Sequence, residues 1–77
     1  MQLKTFFRNT TTEAELATAE VARYANWRRA SERVAEAYRS WAVAPRGERW
    51  LAHAAYLEAL ECEEHAARAY QRVVERR

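Results

Sequence analysis

Apolar residues recur at spacings of three and four along the second half of the chain. This spacing places them on one side of an α-helix, so the pattern predicts a helix over about residues 46–75. Glu63 lies within the same stripe, and a carboxylate on a buried face needs a hydrogen-bond or charged partner. The apolar members of the stripe are Tyr56, Ala59, Leu60, Ala66, Ala67, Tyr70, Val73 and Val74.

A first helix is predicted over about residues 12–43. Thr12 with Glu15, or Thr10 with Glu13, fits the capping box that satisfies free N–H groups where a helix begins. From there to Val43 the sequence has no proline or glycine that would break the helix. The large apolar residues of its buried face are Leu16, Tyr24, Trp27, Val34, Tyr38 and Trp41.

Pro45 and Gly47 mark the connection between the two helices. Pro45 ends the first helix and suits the first position of the next, because its φ is fixed near the helical value and it lacks an N–H. A connection this short makes the helices antiparallel. We therefore predict an all-α chain, an antiparallel two-helix hairpin that forms a single domain over 1–77 with a short N-terminal arm over 1–11.

A hairpin of two helices has one shared seam and no third layer to complete a core. Both predicted helices carry broad apolar faces, and Trp50, Leu51 and Leu57 add apolar surface near the turn. Two hairpins packed together would cover these faces as a four-helix bundle, so we expect a homodimer or a higher homo-oligomer. The predicted core and interface residues are Leu16, Tyr24, Trp27, Val34, Tyr38, Trp41, Tyr56, Leu60, Tyr70 and Val74.

Glu63 is the polar residue of the predicted buried stripe. Counting outward from the turn, Glu63 should lie level with Trp27 and Arg28 of the first helix. We therefore expect its partner to be the guanidinium of Arg23 or Arg28, or the hydroxyl of Ser31, from the same chain or from a second copy.

Composition adds to this picture. The 77 residues include three tryptophans and four tyrosines, a type of side chain that is enriched in protein interfaces. A net charge of +2 is too small to indicate nucleic acid as the partner. The single cysteine excludes an intrachain disulfide and fits a reducing compartment. No apolar run approaches the ~18 residues of a membrane span, so we expect a cytoplasmic protein without a membrane partner.

A metal site is one alternative function. Di-iron carboxylate bundles use inward glutamates with a Glu-x-x-His pair, and encapsulated ferritins build such a site from a hairpin that dimerises. The acidic residues near His65 give this ferritin-like comparison its basis, but Cys62 occupies the position three before His65. Cys62 and His65 share a helix face, so a dimer could also form a Cys2His2 zinc site. Against this site, the neighbours of Cys62 on α-helical spacing are alanines, among which we expect a small buried thiol; they are Ala55, Ala59, Ala66 and Ala69. The acidic residues concerned are Glu58, Glu61, Glu63 and Glu64.

Binding of nucleic acid is the other alternative. Arg28, Arg29, Arg33 and Arg39 crowd the middle of the first helix, where a Rop-like hairpin dimer would contact RNA phosphates. On a helical wheel these arginines spread over more than 100° with glutamates between them, which is typical of a solvated surface.

The sequence has no glycine-rich phosphate loop and no apparent nucleophile–base pair, so we expect neither an enzyme nor a cofactor. The function that the pattern favours is a small self-associating helical hairpin that serves as an interaction or scaffold module, with a further protein partner left open. We do not expect nucleic acid as a partner.

Overall fold

A computed structural model describes residues 12–76 as two α-helices joined by a tight connection. Helix α1 spans Glu13–Ala42 and helix α2 spans Arg49–Glu75, with a short 3₁₀ helix over Arg46–Glu48 between them. The predicted all-α hairpin is confirmed. The predicted N-terminal arm over 1–11 lies outside the described residues. Neither helix is long and apolar enough to cross a membrane over the part of the chain described.

Helix α1 begins with one of the two predicted capping boxes. The backbone N–H of Glu15 donates to the Thr12 hydroxyl oxygen at 3.1 Å, and the backbone N–H of Thr12 donates to a Glu15 carboxylate oxygen at 2.9 Å. Two N–H groups that the first turn leaves free are thereby satisfied. The sequence therefore sets the start of α1 through Thr12 and Glu15.

The connection between the helices differs from the prediction after Pro45, where a 3₁₀ turn precedes α2. Pro45 has φ −59° and ψ 152°, which is extended backbone, so it precedes the next element instead of forming its first helical residue. The N–H of Glu48 donates to the Pro45 carbonyl at 2.9 Å and closes a 3₁₀ turn. Helix α2 therefore begins at Arg49, three residues after the predicted start at 46.

The two helices share a single seam that buries little of the chain. Among residues 12–76 only Ala30, 5% exposed, and Val73, 9% exposed, are buried. The large apolar side chains along the seam keep at least one edge in solvent. A single hairpin therefore contains a line of contacts and not a closed core.

The capping box gives a first prediction. Thr12→Ala removes the hydroxyl acceptor at the N-cap and should destabilise the fold by about 1 kcal/mol, measured by urea unfolding. Thr18→Ala is the matched control, because the Thr18 hydroxyl donates to the Ala14 carbonyl inside α1 and satisfies no free N–H. Alanine there should leave stability unchanged or slightly higher. Equal losses from the two variants would contradict a capping role for Thr12.

The same box gives a pH dependence. Hydrogen bonds from the backbone and then the side chain of Thr12 hold the pKa of Glu15 below its ordinary value of 4.5. Because the folded pKa is the lower one, this contribution to stability is present above the unfolded pKa and is lost as pH falls through the folded pKa. Glu15→Gln should remove that part of the acid dependence. An NMR titration that gives Glu15 a pKa at or above 4.5 would contradict this predicted contribution of Glu15 to stability.

Candidate functional site

The seam is held by two clusters of aromatic rings. In the distal cluster, far from the turn, Trp27 stacks on Tyr70 with centroids 5.6 Å apart and an interplanar angle of 18°. Tyr24 packs its edge against Trp27 at 6.0 Å and lies 5.5 Å from Tyr70. Offset stacking and edge contacts are the arrangements that the ring quadrupole favours. The distal cluster therefore joins α1 to α2 near the open end of the hairpin.

The turn cluster repeats this arrangement near the connection. Trp41 stacks on Tyr56 at 5.4 Å with an angle of 25°, and Tyr38 packs its edge against Trp41 at 6.2 Å. Tyr38 also lies 5.8 Å from Tyr56. His53 packs against Trp41 with ring centroids 4.5 Å apart, so this histidine is part of the seam.

The two clusters are copies of one arrangement, repeated at a fixed interval. Each ring of the distal cluster has its counterpart fourteen residues away on the same helix, which is two heptads or about 21 Å. We did not predict this repeat, although the sequence contains its signal, a Tyr-x-x-Trp motif that occurs twice on α1. The matching pairs are Tyr24 and Tyr38, Trp27 and Trp41, and Tyr70 and Tyr56.

Glu63 is held by a tryptophan. The Trp27 indole Nε1–H donates to Glu63 Oε2 at 2.7 Å, and both side chains are half-buried. The expected level along the helix is confirmed, but within the chain the expected partners Arg23, Arg28 and Ser31 were wrong, and a partner from a second copy remains a prediction. The two arginines are exposed, whereas Trp27 lies in the seam and presents its single donor directly to Glu63.

The metal alternatives rest on Cys62, His65 and the acidic residues of α2, and a site shared by two copies remains a prediction. Cys62 and His65 are both exposed, so the expectation of a buried thiol among alanines is wrong for the single hairpin. Cys62 lies about 100° around α2 from Glu63 of the seam, on a side that α1 does not cover. Over residues 12–76, no three His, Cys, Asp or Glu side chains group as a metal ion would require. Glu58, Glu61 and Glu64 are exposed, and Glu64 forms an i,i+4 ion pair with Arg68 at 3.3 Å.

The arginines of α1 are all exposed. At 100° per residue Arg28, Arg29, Arg33 and Arg39 spread over about 140° of the helix surface. The side chain of Arg29 donates to the Asn26 side-chain oxygen on the same helix. This arrangement is that of a solvated surface with charges of both signs, as the sequence pattern predicted.

One face of the hairpin is formed by equivalent positions of both helices. Tyr24 and Tyr38 each precede a seam tryptophan by three residues on α1, and His53 and Leu60 each precede a seam residue by three on α2. On a right-handed helix these residues are rotated from the seam by about 60° in the same sense. Because the helices are antiparallel, equal rotations bring both sets to one face. We call this the open face.

The open face carries most of the exposed apolar surface. Among the described residues eight large apolar side chains are exposed, and six of them lie on this face or its outer edges. Val21 is 70% exposed and Trp50 is 72% exposed. Exposed large apolar side chains gathered on one face in this way are typical of an interaction surface. The six side chains are Val21, Tyr24, Tyr38, Trp50, Leu57 and Val74.

The opposite face, which we call the polar face, has a different composition. Leu51 is its one exposed large apolar side chain among the described residues, since Val43 lies at the turn. The remaining members are polar or small, so water already solvates this face. They include Asn26, Arg29, Arg33, Ala55, Glu58, Cys62 and His65.

The predicted core and interface residues divide between the seam and the open face. Seven are half-buried in the seam or where the seam meets the open face, namely Leu16, Trp27, Val34, Trp41, Tyr56, Leu60 and Tyr70. Three remain exposed, namely Tyr24, Tyr38 and Val74. The prediction omitted Val21, because it took only the most apolar side of the α1 helical wheel as the buried face. Val21 lies at the outer edge of the open face, outside that side. The prediction that these residues form an interface is not tested by a single chain.

Comparison of the chain with protein-family models, with curated proteins and with solved structures gave no match. The geometry of residues 12–76 is therefore the basis on which a function is proposed.

The bond between Trp27 and Glu63 gives a third prediction. A double-mutant cycle of Trp27→Phe and Glu63→Leu should yield a coupling energy of about 1.5 kcal/mol, at the low end for a hydrogen bond to a charged acceptor because the pair is only half-buried. Glu63→Gln keeps an acceptor oxygen and should be tolerated. Unfolding should be measured at one fixed protein concentration.

The matched control for this cycle is the other seam tryptophan. Trp41→Phe removes the same indole N–H, but Trp41 stacks on Tyr56, packs against His53 and lies about 21 Å along α1 from Trp27. Its effect should add to that of Glu63→Leu within about 0.5 kcal/mol. The assignment fails if both cycles give the same coupling.

Proposed function

We propose that the chain is a self-associating interaction module, in which two hairpins pack through their open faces to form a four-helix bundle. The observation that carries this proposal is the six exposed large apolar side chains on one face of a hairpin that has almost nothing buried. A soluble helix pair gains stability by removing such a face from water. The polar faces of both copies then form the outer surface of the bundle.

The size of the open face suits a stable dimer. A helix of 30 residues is about 45 Å long, and two packed helices present a face about 20 Å wide. The face therefore measures about 900 Å², close to the ~800 Å² that each partner contributes to a standard interface. The aromatic rings along it are the side chains that most often dominate binding energy.

A second copy of the chain is the occupant that these observations favour. The open face extends along the full length of both helices, and a partner of equal length covers it without leaving an end exposed. A two-fold interface uses the same patch of both copies, so each apolar contact between two different residues occurs twice in the dimer. The hairpin also needs this cover to complete its core, and a second copy is present wherever the chain is made.

A matched pair of leucines tests the proposal. Leu57 lies on the open face and Leu51 on the polar face, and both are about half exposed on α2 in the single hairpin. Leu57→Glu should raise the dimer dissociation constant at least tenfold, because the charge enters the interface twice. Leu51→Glu should leave the constant unchanged. Sedimentation equilibrium over a range of concentrations measures both.

The wild-type chain should also melt at a temperature that rises with its concentration, because association and folding are linked. A monomer at 100 µM with a melting temperature independent of concentration would overturn the proposal. A variant lacking residues 1–11 distinguishes the remaining occupant. If that deletion alone destabilises such a monomer, the N-terminal segment with Leu3, Phe6 and Phe7 covers the open face instead of a second copy.

A further inference from the structure

We infer that the two hairpins stack with their turns at the same end of the bundle, related by a two-fold axis parallel to the helices. This inference rests on the proposed dimer and names its arrangement. The surface involved is the open face together with two charged side chains at its outer edges, Arg28 and Glu64.

Two hairpins can pack face to face with two-fold symmetry in two ways. With the axis parallel to the helices, α1 of one copy lies on α2 of the other, and every residue stays at its own height. With the axis across the helices, α1 lies on α1 and α2 on α2, and the turns point to opposite ends. In both cases all neighbouring helices remain compatible with bundle packing. The charges and apolar side chains of the open face must therefore distinguish the two arrangements.

The hydrogen bond between Trp27 and Glu63 sets the heights of the two charges. Arg28 and Glu64 each follow one member of this bonded pair, so they lie at the same level on opposite edges of the open face. When α1 of one copy lies on α2 of the other, Arg28 meets the partner's Glu64, and this happens twice. Opposite charges at an interface edge favour that arrangement and disfavour others.

The alternative arrangement places like charges together. An axis across the helices passes near their midpoints, and Arg28 lies at the middle of α1 while Glu64 lies near the middle of α2. Arg28 would then meet the partner's Arg28, and Glu64 the partner's Glu64. Among residues 12–76 Glu64 forms one exposed ion pair, with Arg68, and this pair remains available in either arrangement.

The apolar side chains fit the same-end arrangement as well. The ring contacts of Tyr24 with Tyr70 and of Tyr38 with Tyr56 fix which residues of α1 and α2 share a height. Val21, three residues before Tyr24, is then level with the partner's Val74. Tyr38 is level with the partner's Leu57. Exposed apolar side chains of the open face therefore meet one another at both ends of the bundle.

The distance between the two turns tests the inference directly. Gly47 lies in the turn, and a Cβ added there meets no atom within 4 Å, so Gly47→Cys can carry a nitroxide label without strain. The labelled chain should also carry Cys62→Ser, which removes the single native cysteine. Double electron–electron resonance (DEER) spectroscopy should give about 25 Å between the two nitroxides when the turns share one end. Turns at opposite ends would lie about 45 Å or more apart.

A label on native Cys62 is the control. Cys62 is exposed near the middle of α2, so its label should give a dipolar distance in either arrangement if the dimer exists. A measurable distance between the two Cys62 labels, together with about 25 Å between the two labels at position 47, supports the inference. A distance at Cys62 with 45 Å or more at position 47 overturns the arrangement and leaves the proposed dimer intact. No dipolar coupling at either position overturns both.

Charge reversal gives a second measurement. In the same-end arrangement Arg28→Glu places two carboxylates together at each edge, and the dissociation constant should rise about tenfold. Adding Glu64→Arg should restore it. In the opposite arrangement Arg28→Glu only exchanges one like-charge contact for another, so an unchanged constant contradicts the inference. Arg33→Glu on the polar face is the control and should have no effect.

Discussion

Two helices packed side by side can bury only the one stripe on which they touch, and this constraint determines most of what the hairpin looks like. The chain places its largest rings on that stripe, since a stacked tryptophan and tyrosine gain more contact than aliphatic side chains could. Rings of this size extend past the line of contact. Tyr24 and Tyr38 therefore reach the same face, and the apolar edge that they expose is a direct result of how the seam is made.

The seam also contains the carboxylate of Glu63, and its position has a consequence for register. The two aromatic clusters are alike. If α1 of one chain packed on α2 of another with the distal rings of one against the turn rings of the other, the ring contacts would be kept. Glu63 lies beside the distal cluster alone and accepts a hydrogen bond from Trp27, whereas Trp41 has His53 and Tyr56 as its neighbours. A mismatched pairing would leave a half-buried carboxylate without its donor, which is unfavourable. A polar residue in a helical seam can specify register in this way.

Local signals in the sequence predicted the fold, and the prediction failed where the outcome depends on contacts between the helices. Thr12 and Glu15 form their cap within one turn, and Pro45 ends α1 through its own ring, so both were visible in the sequence. Counting residues outward from the turn predicted the level of Glu63 along the helices but not its hydrogen-bond donor. The donor depends on the orientation of the Trp27 ring, which stacks on Tyr70 of the other helix. Cys62 was expected to be buried among alanines, but it lies about 100° from the seam on α2, where α1 does not cover it. The start of α2 depended on the extended ψ of Pro45.

Folding and association should be one process in a chain built this way. If only the dimer closes the core, then the fraction of folded chain depends on how much chain is present, since a partner that binds only the folded state shifts the equilibrium toward it. The module would then be assembled above a threshold concentration and unfolded below it. An apolar surface concentrated on one face also fits the proposed dimer. Spread around the hairpin, the same surface would favour open-ended aggregation, whereas one self-complementary face closes after two copies.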